Sequence, residues 1–162
     1  MKQLAVSLLI LALAGCVAAP EIKSTFNPAE AEHITRQGTA TIAGQAFLRR
    51  NDGVVVYGAG SETVLVPAST YARERVAALY RGGKVNSFVP PPKNTDPRYE
   101  QMARRTKNDG EGRFTFDQVA DGDYFVMTTV TWMAGDWRQG GNLMEPVAVR
   151  NGQNVNLIMT GQ

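Results

Sequence analysis

Asn108-Asp109-Gly110-Glu111-Gly112-Arg113-Phe114-Thr115-Phe116, running on through Asp121-Gly122-Asp123-Tyr124-Phe125-Val126-Met127-Thr128-Thr129-Val130-Thr131-Trp132, decides the fold. Two Asp-Gly turns introduce two β segments. The Asp109/Gly110/Gly112 turn is expected to provide positive-φ positions without a Cβ penalty, and Phe114 and Phe116 share one face by the two-residue period of a strand. Upstream, Thr39-Ala40-Thr41-Ile42 and Gln45-Ala46-Phe47-Leu48 flank Gly44, which predicts a strand with a bulge or a close backbone approach there. Asn51-Asp52-Gly53 reads as a turn, and Val54–Tyr57 and Thr63–Val66 are β-branched runs closed by Gly58-Ala59-Gly60 and Pro67. Downstream, a Gly-rich loop over 135–142 precedes Pro146-Val147-Ala148-Val149. Asn151-Gly152 is then a hairpin signal before the alternating Val155, Leu157 and Met159. About seven short strands separated by regular turns predict a mainly β chain, an antiparallel Greek-key β-sandwich. Phe114, Phe116, Tyr124, Val126, Val55, Leu65, Val155 and Leu157 are its expected core.

Residues 68–107 break this grammar and read as a helical insertion between strands. Ser69 or Thr70 caps a helix through Tyr71, Val76, Leu79 and Tyr80, with Gly82-Gly83 as its stop. Pro90-Pro91-Pro92 is extended, and Pro97 opens a second short helix through Met102 to Arg105. The insertion carries nine Lys and Arg against three acids, while the rest of the chain has more acids than bases. Arg73, Arg81, Arg98, Arg104 and Arg105 are therefore candidates for a surface that meets an anionic partner: phospholipid headgroups, lipopolysaccharide, an acidic glycan or an acidic protein face. The plainer alternative is a solvated helical face.

At the N-terminus, Lys2 and the apolar run Leu4–Leu13 lead into Leu13-Ala14-Gly15-Cys16. The run is shorter than the ~20 residues that span a bilayer and has the length of a signal h-region. An ordinary secretory signal cleaved near Val17-Ala18-Ala19 and a buried core helix are the alternatives. The arrangement resembles a bacterial lipoprotein signal peptide with its lipobox. That resemblance implies removal of residues 1–15, acylation of Cys16 (with palmitate among the acyl groups) and attachment to a membrane through acyl chains. Val17, where Asp would favour the inner membrane, implies an outer-membrane address with the domain on the periplasmic or surface face. Residues 16–37, with Pro20 and Pro28 and no sustained apolar face, read as a lipidated tether. Acylation consumes the only cysteine, so the 147 residues left must fold on core burial alone. The small net charge gives no reason to expect nucleic acid.

Gly44-Gln45-Ala46-Phe47, the 108–126 stretch and Pro146-Val147-Ala148-Val149-Arg150-Asn151-Gly152-Gln153-Asn154-Val155-Asn156-Leu157 together resemble the carboxypeptidase regulatory-like family, a transthyretin-type β-sandwich. Asp121-Gly122 stands where that family usually has Pro-Gly. The resemblance covers 39–67 and 108–160 of a domain expected over 38–162. It implies a fold, and a fold does not assign an activity. Tyr124, just after a turn, is expected to have a structural role, its ring in the core and its hydroxyl on backbone.

Catalytic and metal-binding residue types are scarce. His33 is the sole histidine and falls in the expected tether, where no third group holds a base in place. With Cys16 acylated, a conventional zinc centre lacks ligands, and the histidine-dependent enzymes on comparable sandwiches lack their inventory. Asp109, Glu111, Asp117, Asp121 and Asp123 would have to serve any glycosidase or calcium chemistry, yet none shows ligand spacing. Gly58-Ala59-Gly60 and Gly140-Gly141 match no phosphate cradle. Trp132 and Trp137, with Met133 between them, suit sugar stacking or partner contact, and Trp132 equally suits a plug at the sandwich end. The expectation is a non-catalytic, membrane-anchored envelope lipoprotein acting in recognition or scaffolding, without cofactor or metal. A carboxylate-dependent enzyme acting on glycans and an assembly subunit of an envelope complex are the alternatives.

Overall fold

The computed structural model describes residues 18–161, so the expected signal segment 1–15 and the expected acylation site Cys16 lie outside the described residues. In chain order the elements are β1 (Ala40–Arg49), β2 (Val55–Tyr57), β3 (Glu62–Pro67), α1 (Thr70–Leu79), β4 (Tyr80–Arg81), β5 (Lys84–Val85), α2 (Pro97–Gln101), β6 (Arg104–Lys107), β7 (Arg113–Val119), β8 (Gly122–Ala134), β9 (Trp137–Val149) and β10 (Val155–Met159). One sheet is built around β1, which pairs with β10, β2 and β7; the other runs β4-β5-β9-β8-β3-β6. The chain is mainly β and forms a β-sandwich. Outside residues 68–107 it has the seven expected strands, and the insertion adds three.

The core lies between the sheets. Ile42, Ala46, Leu48, Phe114 and Phe116 meet Leu65, Tyr124, Val126, Val130, Leu143 and Val147. Of the expected core, Val55, Val155 and Leu157 are only half-buried, the last two because β10 is an outer strand of its sheet. Tyr124 is buried and its hydroxyl donates to the Ala120 carbonyl at 2.8 Å, the corner expected of it. Burial pushes that phenol up to about 12. Gly44 is a close approach: a Cβ there would sit 2.5 Å from the Phe114 ring. The bulge falls elsewhere, in β7, where the register passes from Ala40↔Val119 to Ile42↔Phe116 and Gln118 takes φ 54°.

Several local expectations give way to long-range pairing. Asn151-Gly152 turns the chain as expected, but β9 stays with β8 while β10 crosses to pair in parallel with β1, so no hairpin forms. Gly82-Gly83 is the two-residue turn of the β4–β5 hairpin instead of a helix stop; α1 already ends at Leu79. Ser69 does cap α1, accepting from the Ala72 amide at 3.2 Å. The second helix stops at Gln101, and Arg104–Lys107 pairs along β3 as a strand. The expected loop over 135–142 is a tight turn followed by the start of β9.

The largest correction concerns the tether. From Ile22 to Ala31 the chain packs onto the domain and, with α1 and α2, covers the outer face of the six-stranded sheet, and Ile34 then enters the core between the sheets. Phe26 sits edge-on between Tyr71 (5.8 Å) and Tyr99 (5.9 Å), over Val66, Phe125 and Met144 of that sheet. Glu74 accepts from the Lys23 and Ser24 amides, each at 2.8 Å, and Glu30 accepts from the Thr70 amide at the start of α1 at 2.6 Å. His33, expected in that tether, is half-buried with its ring centroid 4.9 Å from that of Tyr124. A segment held by one aromatic side chain, short 3-10 turns and carboxylate bonds to and from α1 has no hydrophobic period to read.

Candidate functional site

β8 and β9 pair throughout, from Gly122↔Val149 to Ala134↔Trp137. β3 accompanies β8 only as far as Thr128, and β5 accompanies β9 only at Leu143, so the distal part of the hairpin extends beyond its neighbours. Tyr124, Val126, Thr128 and Val130 alternate into the sandwich interior, and the next residue on that face is Trp132. Trp132 is half-buried: part of it packs on the core, and it also lines a cleft at the end of the sandwich.

This cleft has a volume of about 570 Å³. Trp132, Leu143 and the Gly140-Gly141 backbone form its floor. Leu48 and the turn residues Arg49–Asp52 come from the first sheet, Lys84, Val85 and Ser87 from the edge of the second, and Gln139 and Asn142 from β9. Gly140 is needed where it stands: it takes φ 88°, and a Cβ would lie 2.1 Å from the Val130 carbonyl oxygen and 3.0 Å from the Trp132 ring. Trp137 stands 76% exposed at the hairpin tip beside exposed Met133. The two tryptophans thus separate into a cleft floor and a tip, and the plug and the sugar-stacking readings of Trp132 are compatible.

The charge in the cleft is one-sided. Arg49, Arg50 and Lys84 face one acid, Asp52, which pairs with Arg50 at 2.6 Å and accepts from the Val54 amide at 3.1 Å. An indole floor with amide, guanidinium and hydroxyl groups around it suits a polar ligand with one flat apolar face, such as a pyranose ring. One carboxylate already held by an arginine is not the spaced pair used in glycoside hydrolysis.

The five arginines singled out from the sequence do not come together. Arg104 and Arg105 are successive residues of β6 and so point to opposite faces. Arg104 lies over the Phe116 ring and donates to the Asp117 carbonyl at 2.5 Å, whereas Arg105 pairs with Glu62 at 2.7 Å. Arg73 bonds Asp123 at 3.2 Å, Arg98 bonds Asp96 at 2.7 Å, and Arg81 is exposed on β4. Arg105 lines a second cleft of about 450 Å³ with Tyr80, Tyr99 and Met127 on the other face of the sheet. The candidate carboxylates have structural partners too. Asp109 accepts from the Glu111 and Arg113 amides, Asp121 from those of Asn151 and Gly152, and Asp117 from the Thr41 hydroxyl. Asp123 is held below the usual carboxylate range mainly by Arg150. Among the described residues no group of three or more His, Cys, Asp or Glu is placed to hold a metal ion, and no helix is long and apolar enough to cross a membrane.

Sequence reading missed Arg49, Arg50 and Lys84 as a group because they lie at the end of β1, just after it and at the start of β5, far apart in the chain. It also missed Asn108, read as a turn residue but buried, where it bonds Thr63 (2.5 Å), the Gly58 carbonyl (3.0 Å) and Thr128 (3.3 Å).

No protein-family model matches the chain, and no curated protein matches it by sequence. Among solved structures it is similar to a Pseudomonas aeruginosa protein described as a candidate carbohydrate-binding protein. The identity is 26% and the TM-score 0.72, over 85% of this chain and 98% of that one. The major pilin subunit of Bacillus cereus aligns at 13% identity and a TM-score of 0.41, over 76% of this chain and 30% of that one, a likeness too low to carry an argument.

Proposed function

We propose that this chain is a non-catalytic carbohydrate-recognition module of the bacterial cell envelope, with its binding site in the Trp132 cleft and a membrane anchor at Cys16. The observation that carries the reading is the half-buried indole flooring a cleft rimmed by hydrogen-bonding groups. The likeness to a candidate carbohydrate binder over nearly that protein's whole length supports it. The 108–126 and 146–157 motifs support a carboxypeptidase regulatory-like domain as the scaffold, and Leu13-Ala14-Gly15-Cys16 supports the lipid anchor.

Retention on immobilised polysaccharides tests the recognition role. Trp132→Ala, with folding checked by its thermal transition, should weaken retention by about 30-fold, since a buried aromatic anchor typically contributes ~2 kcal/mol or more. Unchanged retention would place the ligand elsewhere or remove it. The anchor has its own test: Cys16→Ser should move the protein from the detergent to the aqueous phase or leave the precursor uncleaved, and normal maturation with unchanged partitioning would contradict acylation there.

A further inference from the structure

Resting on the carbohydrate-recognition reading, we infer that the Trp132 cleft selects acidic saccharides, those bearing a carboxylate, sulfate or phosphate, over their neutral counterparts. Three cationic side chains line the cleft, and its single carboxylate is taken by Arg50 and the Val54 amide. Arg49 and Lys84 have no acidic partner among the described residues.

Both cations are positioned by the fold. Arg49 closes β1, and its guanidinium donates to the Gly53 carbonyl at 3.4 Å, which keeps it beside the turn. Lys84 opens β5 and lines the cleft, and the aliphatic stem of its side chain lies against Gly161, which packs its base. Donor and acceptor counts point the same way. Arg and Lys only donate; Asp52, the one carboxylate, is engaged, and the remaining side-chain acceptors are the neutral oxygens of Asn51, Ser87, Gln139 and Asn142. A neutral sugar presents hydroxyls that need acceptors as well as donors. An oxyanion only accepts, and it pairs with a guanidinium in a geometry that neutral hydroxyls cannot reproduce.

The anionic partner anticipated from the arginines of 68–107 thus finds a different seat. Only Lys84 of the three cleft cations comes from that segment, and none of the five arginines named there lines the cleft.

The test is calorimetric titration of the full chain in mild detergent with a panel of uronic-acid oligosaccharides of gluco, galacto and manno configuration. Each is compared with its carboxyl-reduced neutral counterpart. At least one acidic member should bind tenfold or more tightly than its counterpart at low salt. That preference should shrink between about 0.05 and 0.5 M salt as screening shortens. In the double variant Arg49→Gln/Lys84→Gln the two affinities should converge. Equal affinity within every pair, a preference indifferent to salt, or a preference kept by the double variant would overturn the inference and leave carbohydrate recognition standing. Binding of neutral members alone would do the same, and binding of no member would overturn both.

Discussion

Phe26→Ala will destabilise the domain by about 3–5 kcal/mol, the usual cost of emptying a buried phenylalanine site. Phe26 is 3% exposed, and its ring holds together the layer over the outer face of the six-stranded sheet. Removing it opens a cavity bordered by Tyr71, Tyr99 and Phe125, and both edge-on aromatic contacts are lost. The Glu74 bonds to Lys23 and Ser24 would not refill that space, because they hold the chain beside α1 without contributing apolar volume. A change of this size is a large part of a domain's ~5–15 kcal/mol margin. Urea unfolding followed by circular dichroism should show a clear fall in midpoint. A wild-type midpoint would mean that residues 22–34 are the loose spacer the sequence suggests.

Phe116→Ala should cost a similar ~3–5 kcal/mol through the other core. Phe116 lies 6.2 Å from the Phe114 ring between the sheets, and the Arg104 guanidinium sits 5.9 Å from its centroid. The substitution leaves a void in the sandwich interior and also strips the ring that Arg104 covers. Arg104→Gln provides the comparison: it removes the cation but keeps the ring, and should cost far less than the ring itself. If Phe116→Ala unfolds at the wild-type midpoint, the strand over 113–119 does not face the core.

These two phenylalanines mark what could be read in advance. Phe116 belongs to an alternating run next to Asp-Gly turns, and period and turn chemistry are local properties that survive in a sequence. So are the Ser69 cap and the Tyr124 corner, each a contact within four residues. Phe26 has no such signature. Its neighbours come from α1, α2 and the sheet, and its segment is irregular. The same limit applies to β6, whose strand character depends on the open edge of β3 forty residues earlier, and to β10, which follows a strong hairpin signal yet pairs with the first strand. The candidate site is harder still. Trp132 and Gly140-Gly141 were visible as residue types, but the cleft exists because a long hairpin extends beyond its neighbouring strands and because the turn after β1 and the β4–β5 hairpin meet there. Charge counting along the chain placed the cationic surface in the insertion. In the folded molecule most of those arginines have partners, and the cations that line the cleft with Trp132 come from the end of β1, the turn after it and the start of β5.

The proposed carbohydrate recognition at Trp132 can be tested directly by fluorescence, because the chain has two tryptophans and Trp137 stands apart at the exposed tip. In a Trp137→Phe variant all indole emission comes from Trp132. Titration with an oligosaccharide shown by calorimetry to bind should then give a saturating change in emission with the same dissociation constant. Calorimetric binding without any change in Trp132 emission would put the ligand outside the cleft.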